Sequence, residues 1–306
     1  MKRYALIVAL TVGLITSALV SVCSSAPEKS LDHPQNKSGT NKPMTGAVKG
    51  QAEQEMSQQR KKILDEATSA IQETKKALKA LEDKKSDDAL KALERATGKL
   101  NILLARDPHL ALAPIDVAVT THDLYATVDQ IKAVRKQAEN HLEKGEVQKA
   151  RLLIRGLGSE IVISVTSLPL QTYPAAIAAV TPLIDKGNIE EAKEALQAAL
   201  NTLVVSEHIM SLPLIRAEEK LAKAEELAQK DTRTDEESKT LAKLLEEARE
   251  QLKLSELLGY GTKEDYKKFY AEIEQIEDKT KGGKSAKAIF APLKEYLADL
   301  KRSLFD

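Results

Sequence analysis

One pattern recurs three times and constrains the chain more than any other feature in it. LEDKKSDDALKALERA begins at Leu81, LEKGEVQKARLLIRGL at Leu142 and IDKGNIEEAKEALQAA at Ile184. Aligned on Ala89, Ala150 and Ala192, each copy has an aliphatic residue eight positions earlier. Apolar residues also follow at three, four and seven positions: Ala92, Leu93, Ala96; Leu153, Ile154, Leu157; Ala195, Leu196, Ala199. Those offsets define one helical face. Gly145 and Gly187 sit where a helix ends in a left-handed residue, a conformation that costs glycine little. Lys84 takes that place in the first copy. Each unit therefore reads as two antiparallel helices joined by a short turn.

Each hairpin is followed by a β-branched run: Ile115–Thr121, Ile161–Thr166 and Leu203–Val205. Ser167-Leu-Pro-Leu170 and Ser211-Leu-Pro-Leu214 then repeat word for word. Two readings stay open. The runs are buried helix ends broken at Pro169 and Pro213, or two or three of them pair as a small sheet, the third being the weakest strand. The anchor alanines lie 61 and 42 residues apart, an irregular duplication and not a fixed-period solenoid. Further on, helices are expected over 214–230 and 235–258. Another starts after Thr262 as cap with Asp265 three positions on and ends near Lys281-Gly-Gly, and a last one spans 285–304. Tyr260, Tyr266, Phe269, Tyr270, Phe290, Tyr296 and Phe305 crowd this segment, which suggests a capping hairpin or an oligomer contact. The expected fold class is mainly α: irregular repeated helical hairpins, with room for a small two- or three-stranded β element, plus a C-terminal helical hairpin.

Lys2 and Arg3, the apolar stretch from Tyr4 to Val20 and the small residues SVCSSA form a tripartite leader, so residues 1–26 read as a signal peptide. The alternative is a retained anchor. Val20-Ser-Val-Cys23 also resembles a lipobox, which makes an outer-membrane lipoprotein through Cys23 the alternative to a periplasmic protein. Residues 27–54, rich in Pro, Gly, Ser, Asn and Lys, read as a disordered tether. A helical-repeat body over 55–214 and a C-terminal helical region over 215–306 complete the division. With the leader removed, no integral membrane span is expected. The 46 basic and 46 acidic residues balance, no Trp is present and aromatics make up 3%. Such a chain has little pull on phosphate polyanions and few stacking platforms, which argues against nucleic acid.

Catalytic and metal-binding patterns are missing. Gly282-Gly-Lys-Ser285 lacks the leading Gly and the strand of a phosphate-binding loop. No Gly-x-Ser-x-Gly elbow occurs. His109, His122, His141 and His208 are never three or four apart, so no helix face offers two ligands. Asp231, Asp235, Glu236 and Glu237 form an acidic turn without Ca²⁺-loop spacing. No catalytic residue, metal or cofactor is assigned. Two sets remain. Leu168, Leu170, Tyr173, Leu212 and Leu214 surround the repeated Pro positions and are candidates to rim a hydrophobic groove, the plainer alternative being core turns. His122, His141 and His208 are candidate pH sensors, because an unperturbed imidazole changes charge between about pH 5 and 8.

Taken together, SDDALKALERATGKL (86–100), IDVAVTTHDLYATVDQIKAV (115–134), HLEKGEVQKARLLI (141–154) and EIVISVTSLPLQTYPAAI (160–177) resemble the YfdX family. The similarity covers roughly 60–220. It implies an exported helical protein tied to acid, heat and other envelope stress, with a chaperone-like or small-ligand-binding role and no catalytic residues to carry over. The expectation is thus a non-catalytic envelope binding protein for unfolded proteins, or else a binder of a small amphiphilic molecule. A homo-oligomer held partly by residues 260–305 is expected with either. Acid would loosen it where a neutral His lies in an apolar contact, and tighten it where the His faces a carboxylate.

Overall fold

The computed structural model describes residues 35–38, 46–286 and 288–304. The signal peptide over 1–26, Cys23 and the parts of the tether at 27–34 and 39–45 lie outside the described residues, as does Phe305.

Each of the three sequence copies is a helical hairpin followed by a strand. The first is α2 (Asp65–Glu82) and α3 (Ser86–Arg106), leading into β2 (Leu112–Tyr125). The second is α4 (Val128–Glu143) and α5 (Val147–Ile154), leading into β3 (Glu160–Pro169). In the third, prolines at the starts of α6 (Tyr173–Ala178) and α7 (Thr181–Asp185) break the first helix in two; α8 (Ile189–Leu200) and β4 (Val204–Ser211) follow. All three turns close identically. The amides of Lys85, Glu146 and Asn188 reach back five residues to the carbonyls of Ala80, His141 and Leu183, at 2.8, 2.8 and 2.9 Å. Lys84, Gly145 and Gly187, just before them, stand at φ of 60°, 72° and 76°. This is a Schellman end, and the first copy builds it with a lysine at the strained position.

The β-branched runs do pair. β2, β3 and β4 form an antiparallel sheet, joined at the β2 edge by the four-residue strand β1 (Gln35–Ser38), in the order β1-β2-β3-β4. Glu160 lies between His122 and Ser211, and Ser167 between Pro114 and Val204. The register shifts between Pro114 and Asp116, where proline has no amide to give the ladder. Val117, Ile161, Ile163 and Val165 share one face, since side chains alternate along each strand. Against it α1 (Gly46–Arg60) buries Val48 and Ala52, with Met56 alongside.

That helix corrects the tether reading over Gly46–Gln54, as β1 does over Gln35–Ser38. Val48, Ala52 and Met56 recur every four residues and supply a stripe one residue wide. In so polar a stretch the stripe is hard to see without the sheet it covers.

The hairpins α2–α3 and α6–α8 pack on one another in a core lined by Ala70, Ala77, Ala89, Ala96, Leu100, Ile177, Ile184 and Leu196. The remainder is a second core built from α9 (Leu212–Ala228), α10 (Asp235–Leu258), α11 (Lys263–Thr280) and α12 (Ala291–Ser303). Ser211, the last residue of β4, caps α9 by accepting from the Leu214 amide at 3.4 Å. The expected boundary at 214/215 therefore falls inside the first turn of a helix. Thr234 with Glu237, and Thr262 with Asp265, close capping boxes. α12 starts six residues later than expected, because Ala288 is left-handed at φ 61° and Pro292 belongs in a first turn. Tyr266, Phe269 and Phe290 are buried inside this unit, with Tyr266–Phe269 and Phe269–Tyr296 ring centroids 5.9 and 6.3 Å apart. The aromatic crowding builds an internal core, and the oligomer contact inferred from it loses that support. Arg233 ties the unit's ends together. Its Nη1 donates to the carbonyls of Leu227 and Ala228, and its Nη2 to those of Thr280 and Lys284 at 2.9 and 2.7 Å.

The turn geometry sets a stability test. A Cβ at Gly187 meets nothing within 4 Å, so Gly187→Ala carries only the backbone cost of the left-handed conformation, about 1 kcal/mol. Lys84→Gly removes that cost but loosens the unfolded chain, for a net gain of roughly 0.5 kcal/mol. Denaturant midpoints should move in opposite directions. An unmoved midpoint in Gly187→Ala would refute the shared turn.

Candidate interaction site

The α4–α5 hairpin is the one copy whose apolar face is left open. Thr127 and Gln130 start α4 with a reciprocal capping box, and Ile131, Val134 and Ala138 are buried along it. The base of α4 is held against α10, where Arg135 Nη1 donates to the Leu257 carbonyl at 2.8 Å. Beyond that base the cover ends. α5 has eight residues and buries only Ala150 among them. Leu142, Val147, Leu152 and Ile154 are 48, 55, 70 and 50% exposed, four large aliphatics within thirteen residues of chain. Val147 and Ile154, seven residues apart, share one side of α5 and Leu152 lies on the other. Single apolar residues at a surface need no explanation, but this many on one short hairpin point to an interaction site.

Between the two helices lies a cavity of about 330 Å³ lined by Val134, Gln137, His141, Lys149, Leu152, Leu153, Gly156 and Leu157. Its lining combines aliphatic side chains with Gln137 and His141 from α4 and Lys149 from α5. His141 Nδ1 is 2.5 Å from Glu146 Oε2, and Lys149 Nζ donates to Glu146 Oε1 at 2.7 Å. Gln137 Oε1 is buried and has no hydrogen-bond partner among the described residues. Lys149 first and His141 second hold the Glu146 carboxyl down at about 2.

Of the three candidate sensors, His141 is thus the one set against a carboxylate at this cavity. His122, opposite Ser38 and Glu160, and His208, opposite Ile163, project from opposite faces of the sheet. The three do not form a cluster.

The five groove candidates are not rim residues. Leu168, Leu170 and Tyr173 belong to the core of the first and third hairpins, Leu212 to the sheet core and Leu214 to the C-terminal core, all 2% exposed or less. The Pro-containing corners turn the chain inward from a strand into a helix, so their leucines pack instead of facing solvent. Leu214 alone of the five borders a second cavity, of about 340 Å³, floored by Ile209, Met210, Leu214 and Ile215 and edged by Gln51, Gln54 and Lys301.

A buried polar seam joins the sheet to the C-terminal unit. Tyr260 accepts from the Ser159 amide at 2.9 Å and donates to Glu160 Oε2 at 2.6 Å. Burial, and then the hydrogen bond it donates to Glu160, pushes its hydroxyl far above the usual phenol range. Tyr266 donates to Ser255 Oγ at 2.7 Å, and Ser255 lies 3.2 Å from Ser211 Oγ. Arg216 closes the seam on Asp123 at 2.8 Å. The sequence signal for this seam was Gly259-Tyr-Gly261, readable only as a helix break. Among the described residues no helix is long and apolar enough to cross a membrane, and no three His, Cys, Asp or Glu side chains gather as a metal site.

The model of the family described as YfdX protein matches residues 70–209. A crystal structure of YfdX from Salmonella Typhi is similar at 16% identity, covering 49% of this chain and 93% of that chain, with a TM-score of 0.34. No curated protein matches.

The ion cluster makes an acid prediction. A carboxyl held down at about 2 contributes its stability above the ordinary value of 4.5, and loses it as pH falls toward 2. While the Glu146 carboxyl stays ionised it keeps its hydrogen bonds to Lys149 and His141, so this contact holds through mild acid. Rate-corrected amide exchange at 143–147 should not rise between pH 7 and pH 5, and should rise between pH 4.5 and pH 2. Opening of the turn already at pH 5 would contradict this sign.

Proposed function

We infer that this chain, which belongs to the YfdX family by its residues 70–209, is a non-catalytic binding protein of the bacterial envelope with a chaperone-like role. The observation that carries the reading is the exposure of large aliphatics on α4–α5: Leu142, Val147 and Ile154, with Leu152 lining the cavity between the helices. An exposed aliphatic surface suits partners that differ in sequence but all expose apolar side chains. The leader-like residues 1–26 support export to the periplasm, with a lipid anchor at Cys23 as the alternative, and the lack of catalytic motifs supports binding over chemistry. Purified protein should slow aggregation of several unfolded clients at pH 7 and at pH 5. The double variant Val147→Asp and Leu152→Asp, both at exposed positions, should lose most of that effect while its thermal unfolding stays put. No protection by the parent protein at either pH would sink the reading.

The second cavity favours a narrower alternative. Its volume lies at the small end of ligand sites, and its apolar floor beneath Gln51, Gln54 and Lys301 fits an amphiphile with a short aliphatic tail. Titration with a fluorescent medium-chain fatty acid should then saturate at one site per chain, and Met210→Glu should abolish it. Weak, unsaturable uptake that survives Met210→Glu would dismiss this alternative.

A further inference from the structure

The first and third hairpins show how this repeated unit packs. α2 lies on α8, and α3 lies on α6 and α7. The first helix of each hairpin thus meets the second helix of the other, which is the reciprocity of a two-fold contact built inside one chain. The aligned positions carry that contact. Eight residues before the anchor alanine, Leu81 and Ile184 are 1 and 4% exposed; four residues after it, Leu93 and Leu196 are 2 and 0% exposed. In the middle copy the same positions are Leu142 and Ile154, each about half exposed. The anchor itself, Ala150, is buried like Ala89 and Ala192, so the hairpin is formed and only its mate is missing.

The copy without a mate has not become polar. At three and seven positions after the anchor it carries Leu153 and Leu157, where the buried copies carry Ala92, Ala96, Ala195 and Ala199. The face that sits open is therefore the more apolar version of the face that elsewhere closes on its own kind. We propose that α4–α5 pairs with α4–α5 of a second copy of this chain, first helix on second helix across a two-fold axis. The occupant is a second copy because the chain itself uses this pattern to bind this pattern. Balanced charge, 46 basic against 46 acidic residues, puts little long-range repulsion in the way. The pairing rests on the reading of α4–α5 as an interaction surface. Clients and a second copy then compete for one face.

Sedimentation of the purified full chain across a dilution series tests this. The parent should form a dimer that dissociates on dilution. Leu142→Glu combined with Ile154→Lys, both at half-exposed positions, should weaken the dimer at least roughly tenfold with circular dichroism and melting unchanged. If the double variant melts early, Ile154→Lys alone should still weaken the dimer with normal melting. A parent that stays monomeric at every concentration overturns the pairing, whatever else it binds, and so does a dimer that keeps its affinity in a well-folded variant. Failure of the binding reading is seen separately: a dimer that depends on Leu142 and Ile154 but protects no client leaves the pairing standing and removes the chaperone-like role.

Discussion

Antiparallel pairing of strands that each follow one hairpin decides where every other element lies. β2 begins beside the end of β3, with Leu112 opposite Pro169, and β4 begins at that same end, with Val204 opposite Ser167. The first hairpin enters the sheet there, and the third connects β3 to β4 there. The second connects Tyr125 to Glu160, at the far end. Two hairpins with matching faces therefore meet at one end of the sheet, and the third is carried away from them. The C-terminal unit leaves β4 at Ser211, opposite Glu160, so it starts at the far end too and covers the base of α4 through α10. The open tip of α4–α5 follows from an odd number of copies on an alternating sheet, without any special feature in its own sequence.

The C-terminal unit can sit on that end only if the polar groups trapped beneath it are satisfied. Buried hydroxyls and amides left without partners cost about 1–3 kcal/mol each, far more than a made hydrogen bond returns. Tyr260 meets this demand for two groups at the start of β3 at once, the Ser159 amide and the Glu160 carboxylate. Gly261, next to it, lets α12 pack close: at φ 117° a Cβ there would lie 2.7 Å from Leu300 Cδ1. Asp123 Oδ1 and Gln251 Oε1 find no partner among the described residues, and both groups lie close to this seam. Exposed ion pairs elsewhere on the helices contribute little by comparison.

Hairpins and their turns were legible because their signals are local, a 3.6-residue period and a glycine at a fixed offset. The β-branched runs stood out among Ala and Lys but left a sheet and buried helix ends both open. The interaction face was not legible. Leu142 and Ile154 occupy the same aligned positions as Leu81 and Leu93, so periodicity marks all four as core. Only the strand order separates the pair that finds a mate from the pair that does not. The repeated Ser-Leu-Pro-Leu corners left a groove rim and core turns both open, and the structure makes them core turns. A proline flanked by leucines looks like a surface break, yet Pro169 and Pro213 stand where a strand turns into a helix, and their leucines pack inward. α1 was missed because one apolar residue in four forms a helix face only against something already apolar, and that surface is assembled from strands more than sixty residues further along the chain.

Side-chain size adds a last constraint on the open hairpin. Small alanines at the aligned positions of the first and third copies permit close helix approach, toward the short end of a range of roughly 8–10 Å. Leucine at those positions cannot be accommodated at that separation without overlap, which is destabilising in a packed core. Any helix seated on α4–α5 must therefore stand further off, with Leu153 and Leu157 filling the added space. The internal contact between the first and third hairpins is thus a guide to the order of helices on the second, but not to their spacing. A mate for α4–α5 has to bring large aliphatic side chains of its own. Within this chain, the hairpin copy that does so is α4–α5 itself.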